Sequence, residues 1–290
     1  MNYTIENESL KVEISTKGAE LQSIVHKQNG IEYLWSGDAK YWGKKSPVLF
    51  PIVGGLKDNT YSYGDKTYHL NRHGFARDME FVVEEQSADS ISFVRVSNEE
   101  TWAHYPFNFN FIVQYSLKEN YLNVTYNVKN KSHGQMYFSV GGHPAFKVPL
   151  TNDTVFEDYY LKFSDVESAE RWPLSKDGLI ETYTTPVLKN TDRLALSKPL
   201  FYEDALVFKH LRSNSISILS DKTTHGLKVK FDGFPYMGIW NAKDADFVCI
   251  EPWCGIADSV QTTGKLQEKE GIQLLEENEI FERTWSVEVF

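Results

Sequence analysis

The chain has 290 residues and a formal net charge of -10, from 30 basic and 40 acidic side chains, which argues against a nucleic-acid surface because phosphate contacts need a clustered basic face. Its hydrophobic content of 41% is too high for a disordered chain, and its two cysteines are too few for a disulfide scaffold. Aromatic residues make up 14% (18 Phe, 16 Tyr and 7 Trp), a bias that suits strands or a site that stacks on rings.

The first eight residues are acidic and lack the basic and apolar regions of a secretory leader. No apolar run approaches the ~18 residues of a membrane span. A cytoplasmic, reduced protein without membrane attachment is expected, with Cys249 and Cys254 as free thiols in or near the core. Leu10, Val12 and Ile14 alternate with Lys11, Glu13 and Ser15, the period-2 pattern of a strand with one buried face. Helical signal is scarce; residues 38–42 could hold a turn or two. Residues 61–63 and 67–70 flank Gly64-Asp65-Lys66 as a hairpin, and Ile91 and Phe93 begin a strand that Arg95 interrupts.

The clearest alternation is Phe107, Phe109, Phe111, Val113, Tyr115 and Leu117, followed after Lys118-Glu119-Asn120 by Leu122, Val124, Tyr126 and Val128. It predicts a long antiparallel hairpin. Residues 136–140 are strand-like. Residues 150–192 are polar and rich in Thr, Ser and Asp, so long loops are expected there. Residues 227–231, 236–240, 247–250 and 285–290 complete the series of strands. No repeat or linker divides the chain, so residues 1–290 are expected to form one all-β domain, a large antiparallel β-sandwich with few short helices.

Three segments carry residue types that a sandwich core does not require: residues 71–77, 140–146 and 249–253. His143, set in Gly141-Gly142-His143-Pro144, can exchange a proton at neutral pH or sit in the core bonded to backbone. The glycine pair suits a close approach to a ligand, and Pro144 favours an extended His143. Glu251 ends the apolar run 247–250, where desolvation would raise its pKa and strengthen it as a base. A structural ion pair with Arg72 or Arg77 is the other reading. His73 lies in a loop with those two arginines and could bind a sugar hydroxyl, a phosphate or solvent. Arg77 could clamp an anion. Asp204 is a weaker candidate, and Asp232, beside Gly233 and Pro235, suits a turn. Trp240 and Trp253 either stack on a sugar ring or pack in the core. His73, His143 and Glu251 lack a local metal-ligand spacing, and no nucleotide-cofactor or nucleophile motif is present, so neither metal nor cofactor is expected.

Taken together these segments resemble the aldose 1-epimerase (galactose mutarotase) family, and more closely its LacX-like branch. The likeness extends over nearly the whole length, through Tyr33-Leu34-Trp35, residues 48–52, His73-Gly74-Phe75-Ala76-Arg77, Tyr105-Pro106-Phe107, Gly142-His143-Pro144-Ala145-Phe146 and Ile250-Glu251-Pro252-Trp253. The resemblance implies a large β-sandwich whose concave face binds a sugar, with His143 as general acid, Glu251 as general base, and His73 and Asp204 as sugar-binding residues. It departs from the family in one place: Gly54-Gly55-Leu56-Lys57 stands where a Gly-Arg pair is common, so Lys57, Arg72 or Arg77 is left to supply the cation.

The implied activity is interconversion of the α and β anomers of a hexose by acid-base ring opening and closure, with a bell-shaped pH dependence. The substrate is a free sugar or, alternatively, a hexose 6-phosphate. Two other readings are a non-catalytic carbohydrate-binding or sensor protein, and a glycoside-cleaving enzyme pairing Glu251 with Asp204 or Asp232. Oligomeric state is not legible, since nothing marks a coiled coil or an exposed apolar helix.

Overall fold

In the computed structural model, which describes residues 1–290, the strongest alternation in the sequence forms the middle of the larger sheet. Strands Phe109–Lys118 and Tyr121–Asn130 pair antiparallel around Glu119-Asn120, with Lys118 opposite Tyr121 and Phe109 opposite Asn130. Successive side chains point to opposite faces, so Phe109, Phe111, Val113, Tyr115 and Leu117 are buried together with Leu122, Val124, Tyr126 and Val128. Each such side chain contributes about 1.5–3 kcal/mol on burial. Phe107 is also buried, but it precedes the strand.

Seven further strands extend this pair into a nine-stranded antiparallel sheet. Its order is Thr191–Ala195, Tyr159–Glu167, Ser215–Ser220, Leu227–Lys230, Ile280–Val289, Tyr121–Asn130, Phe109–Lys118, Ser90–Val96 and Val82–Gln86. Packed against it is a smaller sheet in the order Leu206–Lys209, Tyr236–Trp240, Phe247–Cys254, Val140–Gly142 and Val48–Leu49, with Ala145–Lys147 also paired to Phe247–Cys254. Strands Asn2–Glu6, Leu10–Ser15 and Leu21–His26 form a separate three-stranded sheet, and Thr60–Tyr63 pairs with Lys66–His69 as the expected hairpin. The architecture is thus a large antiparallel β-sandwich, as the alternation predicts.

Phe50, next to the Val48–Leu49 strand, stacks on Phe111 of the larger sheet with ring centroids 4.4 Å apart. The glycine pair lies in this same sheet-to-sheet contact. A Cβ on Gly142 would lie 2.8 Å from the Tyr126 hydroxyl and 3.1 Å from Trp285 Nε1, and one on Gly141 would lie 2.7 Å from Trp253 Cδ1. Gly141 and Gly142 therefore let core groups approach each other, not a ligand.

Elsewhere the structure refines the expectations from sequence. Residues 150–192 contain the strand Tyr159–Glu167, with Tyr159, Leu161 and Phe163 buried; its polar outward face (Tyr160, Lys162, Ser164) made it read as loop. Residues 38–42 form a single turn, closed by the Tyr41 and Trp42 N–H groups on the Asp38 carbonyl, while the α-helix is Glu99–Trp102. That helix starts where the Asn98 side chain accepts from the Thr101 N–H and Thr101 Oγ1 accepts from the Asn98 N–H, a reciprocal cap. The strand at Ile91 runs through Arg95 to Val96, and the one at Phe247 runs through Glu251 to Cys254. No helix is long and apolar enough to cross a membrane.

Candidate active site

Val140–Gly142 and Ala145–Lys147 lie along one edge of the Phe247–Cys254 strand in a single continuous register. Gly141 opposes Trp253 and Ala145 opposes Cys249. His143 and Pro144 form no ladder pairs between them, yet the unchanged register sets His143 opposite Glu251. Opposed residues project from the same face with Cβ atoms roughly 4.5–5.5 Å apart. His143 Nε2 accordingly lies 3.2 Å from Glu251 Oε2. Cys249 and Trp253, two positions to either side of Glu251, share its face.

A cleft of about 590 Å³ opens above this face. Glu251 is 2% exposed and His143 8%, so both sit on its floor. The His143 ring stacks on Trp42 with centroids 4.8 Å apart and meets Trp240 and His73 edge-on at 5.5 and 5.6 Å. Its backbone N–H donates to the Pro47 carbonyl. Burial, with the charges of Arg77 and Arg72 adding to it, pushes the imidazole down to about 3. Burial and then the charge of Asp204 push the Glu251 carboxyl well above the usual carboxylate range. Desolvation disfavours the charged form of each group. Both shifts therefore favour imidazole with carboxylic acid over imidazolium with carboxylate.

His73 is buried, contrary to the reading of a solvated loop residue, with its backbone in the left-handed region (φ 69°). Its N–H donates to the Gly54 carbonyl at 2.8 Å and its Nδ1 accepts from the Gly54 N–H at 3.1 Å. Because Nδ1 accepts, the ring proton of the neutral imidazole sits on Nε2. Burial, then His143 and the two arginines, hold this ring well below its ordinary pKa. His73 is thus a fixed neutral donor in the cleft.

Of the three cations, Arg72 and Arg77 line the cleft and Lys57 does not. Lys57 is exposed at the start of the 3₁₀ turn Lys57–Asn59, with its N–H donating to Asp258 Oδ2. Arg77 Nη2 donates to the Arg72 carbonyl, and its Nε lies 3.6 Å from Asp78. Neither arginine pairs with Glu251. Arg72 has no ion-pair partner; its guanidinium fills the space beside Gly178, where a Cβ would lie 1.4 Å from Nη2. Asp204 lines the cleft in a left-handed conformation (φ 76°), its Oδ1 accepting from the Ala205 N–H. Asp232 lies outside the cleft and accepts from Asn214 Nδ2, the turn role foreseen for it. Trp240 and Trp253 line the wall, and Trp253 also packs in an apolar cluster with Leu49, Val53, Val207 and Ile256.

Sequence reasoning missed Trp42, Lys176 and Tyr202, which also line the cleft. They stand in three separate loops, and only an aromatic residue amid polar neighbours at Trp42 hinted at a role. The wall beyond Gly54 is fastened by Asp258: its N–H donates to Gly55, its carbonyl accepts from Ile180, and its Oδ1 accepts from Lys269 Nζ at 2.8 Å. Both members of that ion pair are buried.

A proton donor and acceptor this close suit a substrate whose two reacting oxygens share one carbon. Glycoside cleavage instead needs carboxyl groups roughly 5–9.5 Å apart across the scissile bond. A metal ion could find donors at His143, Cys249 and Glu251, whose ligand atoms lie within 4.8 Å of one another.

A family model described as Aldose 1-epimerase matches residues 1–274. The chain is 35% identical over 280 residues to the chromosomal protein LacX of Lactococcus lactis subsp. lactis, covering 93% of each. It is 40% identical to the solved galactose mutarotase related enzyme of Lactobacillus acidophilus, with a TM-score of 0.95 over 100% of this chain and 97% of the other. A galactose mutarotase-like protein from Lactobacillus casei ATCC 334 is 31% identical, with a TM-score of 0.94 over the full length of both chains.

Proposed function

The chain belongs to the aldose 1-epimerase family, and from that premise we propose that it interconverts the α and β anomers of a hexose, with residues 1–290 acting as one domain. The observation that carries this reading is the 3.2 Å approach of His143 Nε2 to Glu251 Oε2 on the floor of the cleft. The anomeric hydroxyl and the ring oxygen share C1, so an acid and a base that serve them belong side by side in one cleft. A proton passed from Glu251 to His143 across their contact gives carboxylate and imidazolium; the carboxylate then takes the proton of the anomeric hydroxyl while the imidazolium protonates the ring oxygen. The C1–ring oxygen bond breaks, the aldehyde turns about C1–C2, and the same groups run in reverse to close the other face. His73 Nε2–H and Asp204 would hold sugar hydroxyls, and Trp240 and Trp253 would face the ring. In this scheme the pair supplies the proton transfers that accompany C1–oxygen cleavage and re-formation, about 10²–10⁴-fold for each group.

A sugar carrying an anionic substituent, such as a hexose 6-phosphate, is the second reading. The unpaired guanidinium of Arg72 and the exposed Lys176 at the cleft support it. Polarimetry or exchange NMR on freshly dissolved α-glucose, α-galactose and glucose 6-phosphate tests both. Acceleration of anomer exchange is expected for at least one of them. Binding without acceleration would favour a carbohydrate-binding protein, and neither binding nor acceleration would overturn the proposal for common hexoses.

A further inference from the structure

We propose that His143, Cys249 and Glu251 together form a binding site for a zinc-class divalent cation, whose occupation closes the cleft to chemistry. The inhibitory consequence rests on the function proposed above, whereas the binding itself does not.

Three observations converge on it. The donor atoms lie within 4.8 Å of one another, and all three residues are buried. Tetrahedral zinc with bonds of roughly 2.0–2.3 Å keeps its ligand atoms roughly 3.3–3.7 Å apart. The 3.2 Å between His143 Nε2 and Glu251 Oε2 is already near that edge length, so small side-chain rotations complete the set. The residues come from paired strands: Cys249 and Glu251 alternate on one strand, and His143 stands across from Glu251. Lastly, Glu251 Oε2 is buried with no hydrogen-bond partner beyond its 3.2 Å contact with His143 Nε2, so that contact is the one polar interaction coordination would replace.

The donor chemistry selects the ion. One sulfur, one imidazole nitrogen and one carboxylate oxygen suit zinc or cobalt rather than the all-oxygen shells of magnesium and calcium. Thiolate and carboxylate together neutralise the dication, which keeps the buried complex uncharged. On coordination the Cys249 S–H bond breaks, its proton passes to the buffer, and the sulfur lone pair forms the metal bond. Any proton on Glu251 leaves likewise, and no atom changes oxidation state. His143 and Glu251 line the cleft, whereas Cys249 is buried outside its lining. Coordination would occupy the lone pairs that His143 and Glu251 would use on a sugar.

The test titrates chelator-stripped protein with zinc chloride by calorimetry, and with cobalt(II) by absorption. One equivalent is expected to bind, and cobalt is expected to give a thiolate-to-metal charge-transfer band. Cys249→Ser should weaken zinc binding at least tenfold, whereas Cys254→Ser, on the opposite face of the same strand, should leave it unchanged. Absence of the cobalt–thiolate band, or equal affinity in Cys249→Ser, would overturn the site. If Cys249→Ser does not fold, the cobalt spectrum of the unaltered chain decides. Where mutarotation is present, zinc should abolish it with the midpoint of the calorimetric titration. Where the chain binds zinc but has no mutarotation to lose, the cation site stands and the proposed enzymatic reading falls.

Discussion

His143 and Glu251 face each other across two antiparallel strands, Nε2 to Oε2 at 3.2 Å, although His143 itself belongs to no ladder pair. The two groups are a single proton-sharing unit, so removing either is expected to cost most of what both supply. Glu251→Gln and His143→Asn should each slow anomer exchange by about 10²–10⁴-fold. Sugar binding, followed by saturation-transfer NMR, should persist. Wild-type exchange rates in either variant would remove the pair from the reaction.

The pH profile follows from the same unit. His143 is held down at about 3 and Glu251 is held up. The active one-proton state gains its second proton only when pH falls through the lowered limb, and loses its proton only when pH rises through the raised one. The bell expected from sequence should thus have a wide top, with its acid limb far below the ordinary histidine value of about 6.5. Initial-rate polarimetry with chelator, in non-catalytic buffers, measures it. An acid limb near 6.5 would contradict the buried imidazole. Asp204→Asn, by removing a negative neighbour of Glu251, should move the alkaline limb to lower pH.

Arg72 occupies space that only a glycine at position 178 leaves open. Gly178→Ala should displace the guanidinium and raise KM about tenfold, equivalent to ~1.4 kcal/mol, with kcat little changed. A larger rise for glucose 6-phosphate than for glucose would identify Arg72 as a phosphate contact. An unchanged KM for both sugars would place Arg72 off the substrate.

Asp258 neutralises the buried Lys269 and bonds to Lys57, Gly55 and Ile180. Asp258→Ala leaves a buried ammonium without its counter-charge, a loss of about 3–5 kcal/mol. Urea unfolding should show it, and Asp258→Ala with Lys269→Met should recover much of it. Equal stability of single and double variants would mean that the ion pair is not the source.

The sandwich was legible because strand alternation is a local signal, strongest at residues 107–128. It failed for Tyr159–Glu167, where three buried residues alternate within polar surroundings. His143, Glu251 and His73 stood out by residue type and setting, and the structure brings all three into one cleft. Their relationship was not legible, because register depends on which strands pair on either side of an unpaired dipeptide. For the same reason Lys57, close in sequence to Gly54, lies outside the cleft, while Trp42, without any motif, stacks on His143. Loop return paths and long-range pairing are properties of the fold that no short window of sequence contains.

Glu251 stands inside a strand that is buried along its whole length and paired on both sides, whereas Trp42, Lys176 and Tyr202 stand on loops. Opening that strand requires breaking the smaller sheet, so its amides should exchange with deuterium only near global unfolding, and the rim should exchange early. Rim loops can be lengthened or recharged to admit a different sugar while the proton-transfer floor keeps its geometry.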